Sequence, residues 1–116
     1  MGKSNQPKIS DEVKAEVERM VEQFNQEVMS AYTDEYGKCF YLVRFKSSFC
    51  YLDRSDWGQV GPIFRLTYTG GINNWHWAIF KWSTETYDGG ELFPGIEHLD
   101  GTLRGAMLAG LKAYPA

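Results

Sequence analysis

The chain has 116 residues, of which 43% are hydrophobic, 16% aromatic and 23% charged, enough apolar surface for one core and too little length for two. General disorder is excluded on the same numbers, and no uninterrupted apolar run approaches the roughly 18 residues that crossing a bilayer requires, so no membrane partner is expected. A formal net charge of −3 argues against a strongly electrostatic nucleic-acid binder, yet the balance hides opposed blocks.

Residues 11–36 carry eight acids against Lys14 and Arg19, whereas residues 37–82 carry six bases against Asp53 and Asp56. Such blocks serve either as solvated, mutually attracting faces or as a basic surface that meets an anion. Residues 1–9 read as a flexible tail ahead of a single domain over 10–116. The opening MGKSNQPKISDEVK is too polar for a secretory signal, which points to a cytoplasmic protein. Gln6 stands where a myristoylation motif wants Ser or Thr.

From Ser10 to Tyr32 the apolar residues Val13, Val17, Met20, Val21, Phe24, Val28, Ala31 and Tyr32 recur every three or four positions, the pattern of one helical stripe. Ser10 is its predicted N-cap, Asp11 and Glu12 suit the positive end of the dipole, and Gly37 stops the segment. Residues 38–83 change texture to short runs of Tyr, Phe, Trp, Val, Ile and Thr separated by turn dipeptides. Strands are predicted near 38–46, 49–54, 62–69 and 75–83, joined as a meander. Residues 84–98, with Gly89-Gly90 and Phe93-Pro94-Gly95, read as an irregular crossing with room for a short edge strand near Thr86-Tyr87. The end is helical again, with Asp100 as predicted N-cap, Leu103, Ala106, Met107, Gly110, Leu111 and Tyr114 on one face, and Pro115 as stop. Gly105 and Gly110 would let this helix lie close to its neighbours. The expected fold is α+β: N-terminal helix, four-stranded antiparallel meander, C-terminal helix (α-β-β-β-β-α), with both helices on one face of the sheet.

If Ser47 and Ser48 form a two-residue turn, Phe45 opposes Cys50, Arg44 opposes Tyr51 and Val43 opposes Leu52. Tyr41, Val43, Phe45, Cys50 and Leu52 then share an apolar face. Leu42, Arg44, Lys46, Phe49, Tyr51 and Asp53 share the other, which mixes bases with rings. On the third strand Phe64, Leu66 and Tyr68 read as core, and Ile63, Arg65, Thr67 and Thr69 as outward. The fourth strand is bulky on both sides. An even loop before it turns Trp77 and Ile79 inward, and an odd one turns Phe80 and Trp82 inward. Two helices cover one side of a four-stranded sheet, so the other should show Arg44, Tyr51, Arg65 and a tryptophan to solvent or to a partner.

Little conventional chemistry is present. Cys39 and Cys50 are too few for a disulfide scaffold and supply no zinc motif, so free core thiols and no metal are expected. His76 and His98 lack a recognisable orienting partner, and the carboxylates Asp53, Asp56, Glu85, Asp88, Glu91, Glu97 and Asp100 fall at strand ends and loops. There is no phosphate loop, nucleophile elbow or HExxH. The block order is similar to that of double-stranded RNA-binding domains. The stretch matching that family's basic cluster, Glu97 to Arg104, carries one arginine and two acids, so the similarity stops at element order.

Three readings follow. The first is a non-catalytic binding or adaptor domain whose outer face takes a flat, anionic ligand: a nucleotide, a short single-stranded nucleic acid or an acidic peptide. Arg44, Arg65 and Lys81 would neutralise charge while Tyr51, Trp77 and Trp82 stack. The second makes the same face a homodimer interface. The third is a small enzyme with a pocket between the sheet and the 84–98 crossing, using His98, Glu97, Asp53 or Asp56. No cofactor is implied by any of them.

Overall fold

A computed structural model describes residues 7–116; the tail expected at the N-terminus therefore falls mostly outside the described residues. Helix α1 spans Asp11–Glu27, followed by a short 3-10 turn at Met29–Tyr32. Five strands come next, β1 Cys39–Lys46, β2 Phe49–Asp56, β3 Gln59–Tyr68, β4 Trp75–Lys81 and β5 Thr86–Asp88. A second 3-10 turn at Ile96–His98 precedes helix α2, Leu103–Ala113. The sheet is antiparallel throughout, in the order β1-β2-β3-β4-β5. The α+β meander flanked by two helices is as the sequence implies, with one strand more than the expected four: β5, drawn from the crossing.

Local chemistry explains the boundaries. The Ser10 hydroxyl accepts a hydrogen bond from the Val13 N–H (3.2 Å), satisfying one of the free donors at the start of α1. The helix ends ten residues before Gly37. There the Ser30 hydroxyl donates to the Gln26 carbonyl (2.7 Å), a local bond that competes with helical continuation. Ile9, assigned to the tail from sequence, is buried, and its N–H donates to the Ser47 carbonyl (3.2 Å). At α2 the N-cap is Thr102 instead of Asp100, accepting from the Gly105 N–H (3.0 Å). Asp100 instead takes the Thr102 N–H (3.0 Å) and hydroxyl (2.5 Å), bonds that hold its carboxyl below the usual carboxylate range.

The β1–β2 register is the predicted one, with Arg44 opposite Tyr51 and Phe45 opposite Cys50. Between β2 and β3 the turn is Trp57-Gly58, both at positive φ (51° and 92°), the backbone that a two-residue hairpin demands. It extends both strands beyond the boundaries read from sequence. A bulge opposite Leu52 and Asp53 leaves Ile63 unopposed. It adjoins Pro62, which has no N–H to give a ladder. Ile63 and Phe64 are consequently both buried, so the outward placement of Ile63 is corrected. Thr67, also expected outward, is 9% exposed.

The core lies between the inner face of the sheet and the two helices. Tyr41 is at its centre, 1% exposed, with its ring edge-on to Phe24 (5.8 Å) and Phe64 (6.0 Å). Its hydroxyl donates to the Met107 carbonyl of α2 (2.7 Å), and its backbone N–H and C=O meet the Asn25 side-chain amide of α1 (2.8 and 3.0 Å). Arg54 continues the inward series of Cys50 and Leu52 with its side chain 1% exposed. Its Nε and Nη2 donate to the Asp56 carboxylate (2.8 and 3.0 Å), and Nη2 also to the Tyr114 carbonyl (2.5 Å). Its Nη1 is buried without a hydrogen-bond partner.

Gly110 allows the approach of α2. A Cβ there would lie 2.7 Å from the Tyr41 hydroxyl and 2.9 Å from Ile63 Cγ2. Gly110→Ala should therefore destabilise the domain by about 1–3 kcal/mol through overpacking, even though alanine favours a helix by up to about 1 kcal/mol. Urea denaturation of the variant checks this. Cys39 and Cys50 are free and buried, and burial pushes both thiols up, Cys50 to about 12. Neither should react with iodoacetamide in the native protein, while both should once it is unfolded, as read by mass spectrometry.

Candidate functional site

Both helices and the Phe93 segment pack on one side of the sheet, so the opposite side is left to its own side chains. The register sets them in rows. Arg44, Tyr51, Arg65 and Ala78 lie side by side across β1 to β4, and Lys46, Phe49, Thr67 and His76 form the adjacent row. Phe80 and Tyr87, opposite each other on β4 and β5, extend the face. Its rings form a continuous path: Phe49 to Tyr51 (6.1 Å), Tyr51 to Tyr87 (5.6 Å), Tyr87 to Phe80 (5.2 Å) and Phe80 to Trp82 (5.0 Å). Most of these contacts are edge-to-face, the arrangement that ring quadrupoles favour.

Two guanidinium groups cover parts of this path. Arg44 Cζ sits 4.4 Å above the Tyr51 ring, and Arg65 Cζ lies 4.6 Å from the Phe49 ring centre and 5.3 Å from that of Tyr87. Each such contact contributes about 0.5–2 kcal/mol, more as water is excluded. Burial pushes the Tyr87 hydroxyl above its ordinary range, with the Arg44 charge pulling the other way.

The two arginines differ in what balances their charge. Arg44 donates from Nε and Nη2 to the Asp53 carboxylate (2.8 and 3.3 Å), a diagonal cross-strand pair. Arg65 makes no ion pair or hydrogen bond among the described residues, and its Nε is buried without a partner. Only its Nε is buried in this way, so its terminal nitrogens are its open donors. Across the whole face Arg44, Lys46 and Arg65 stand against one carboxylate, Asp53.

The residues singled out from sequence are thus divided. Arg44, Tyr51 and Arg65 come together in a single row. Trp77 does not join them. The loop between Tyr68 and Trp75 has an even number of residues, which turns Trp77 to the core side. There it stacks with Phe64 (4.4 Å) and Phe93 (5.4 Å). Lys81 follows the same parity and is tied to Glu91 (2.9 Å) and Asp88 (3.8 Å), away from the outer face. Trp82 lies past the end of β4 and is 57% exposed, at the margin of the ring path and beside Gly61. Tyr87 and Phe49 were not singled out. Tyr87 sat in a segment read as a connection, although alternation from a paired Thr86 would have turned it outward.

The candidate acid/base groups are dispersed. His98 Nε2 is 3.8 Å from its sequence neighbour Glu97, Asp53 faces outward on Arg44, and Asp56 faces inward on Arg54. Among the described residues no three His, Cys, Asp or Glu side chains are grouped to hold a metal ion, and no helix is long and apolar enough to cross a membrane. No protein-family model matches the chain, and no characterised protein or solved structure shows significant similarity to it.

Removing Asp53 isolates the role of charge balance on this face. Asp53→Ala should cost no more than about 1 kcal/mol of stability, because Arg44 is largely exposed. It should also tighten binding of anionic probes to the face, which a salt-series titration of wild type and variant would measure.

Proposed function

We propose that this domain is a non-catalytic binding module whose outer sheet face receives an anionic group of a partner. The observation that carries the proposal is Arg65: its planar faces lie against Phe49 and Tyr87, and no carboxylate balances it among the described residues. A cation held against rings keeps its charge and is already oriented, so little side-chain entropy is lost when an anion meets it. Arg44 and Lys46 add positive potential along the same face, which favours encounter with a negative partner. Unpaired Cys39 and Cys50 fit a reducing compartment such as the cytoplasm.

The competing reading is a homodimer formed through this face. The ring path supports it, because contiguous exposed rings often mark an interface. A two-fold pairing would bring copies of the same excess of cations together, which favours the anionic partner.

Amide chemical-shift titration with a panel of short acidic peptides, nucleotides and oligonucleotides tests the proposal. Shifts should centre on Tyr51, Arg65, Thr67 and Tyr87, weaken with added salt, and fall by about tenfold or more in affinity in Arg65→Ala, the loss of one charge-assisted contact. Absence of salt-sensitive shifts with every probe would overturn it.

A further inference from the structure

Resting on the anion-binding reading above, we infer that the partner is an acidic protein segment, with carboxylates set among apolar side chains, and not a nucleotide or single-stranded nucleic acid. A nucleic acid is held without sequence preference by stacking its bases on ring faces while nearby cations take the phosphates. On this face those two tasks compete for the same groups. Phe49 and Tyr87 each carry the Arg65 guanidinium, and Tyr51 carries that of Arg44. A base stacked on any of those covered faces would have to displace the cation meant for its phosphate. The residues that could have offered unencumbered stacking are elsewhere: Trp77 is stacked on the core side and Trp82 lies beyond the strand end.

What remains available is the in-plane edge of Arg65, presented by its terminal nitrogens. A carboxylate matches that edge with two parallel N–H···O bonds. The neighbouring cations are separated by rings instead of forming a continuous track. Arg44 and Arg65 are two strands apart in one row, with Tyr51 between them, a backbone separation of about 10 Å at the usual strand spacing. A uniformly charged phosphate backbone gains from contiguous cations. A peptide whose acids alternate with apolar residues instead sets carboxylates on Arg65 and Lys46 and hydrocarbon against the ring edges of Tyr51, Tyr87 and Phe80.

The decisive comparison is between a short peptide alternating Glu and Leu and a short oligothymidylate of equal charge, titrated into the intact chain at one ionic strength. The peptide should bind about tenfold or more tightly than the oligonucleotide, in line with one charge-assisted contact that only the peptide completes. Arg65→Lys keeps the charge but loses the planar edge, and it should reduce peptide affinity toward that of the oligonucleotide while leaving oligonucleotide binding nearly unchanged. Equal or tighter binding of the oligonucleotide, or full peptide affinity in Arg65→Lys, overturns the acidic-segment assignment and leaves the anion-binding surface standing. If neither probe shifts any resonance of the outer face, the surface itself is not an anion site and both readings fall.

Discussion

The hydrogen bond from the Tyr41 hydroxyl to the Met107 carbonyl decides which side of the sheet the helices occupy. A phenol buried this deeply must find an acceptor or forfeit a large part of what its ring gains by leaving water. It finds one on α2, while its own backbone is satisfied by Asn25 of α1. One residue of β1 thereby draws both helices to the same face. Gly110 permits it, since the hydroxyl occupies the space that a methyl group there would need. The packing of Phe24, Phe64 and the aliphatic core follows from that sidedness.

The other face is the remainder of this arrangement, and its chemistry follows from being rich in rings yet wet. Aromatic edges pack on one another and guanidinium groups lie over them, which keeps hydrocarbon partly covered without a third layer. Two arginines in one row arrive at different electrostatic states through their diagonal neighbours. Arg44 meets Asp53, whereas Arg65 meets Phe49 and Tyr87. A structural ion pair and an unbalanced cation thus sit two strands apart in nearly the same setting.

Much of this is legible from residue order where one local rule governs. The Ser47-Ser48 turn makes cross-strand partners follow by counting, and from it the shared face of Arg44 and Tyr51. Counting fails where backbone irregularity intervenes. The bulge beside Pro62 buries Ile63 against its alternation, and the length of the loop after Tyr68 fixes the side of Trp77, which no propensity encodes. Arg54 shows a different failure. Its parity with Cys50 and Leu52 marks it as inward, but charge overrides parity when a sequence is read by hydropathy alone. Its burial depends on Asp56 and on a carbonyl sixty residues away, a long-range fact. The unbalanced state of Arg65 is similarly invisible, because it depends on which carboxylates do not reach it.

The amide of Asn25 has a further effect through the backbone atoms it meets. β1 is an outer strand of the sheet, and an outer strand offers unpaired N–H and C=O groups on which another chain can add itself. By bonding both groups of Tyr41, a single side chain acts as a one-residue mimic of a sixth strand. The opposite border is β5, only three residues long, too short to template growth. A domain with this many β-formers and aromatic rings is thereby guarded against the stacking that ends in fibrils.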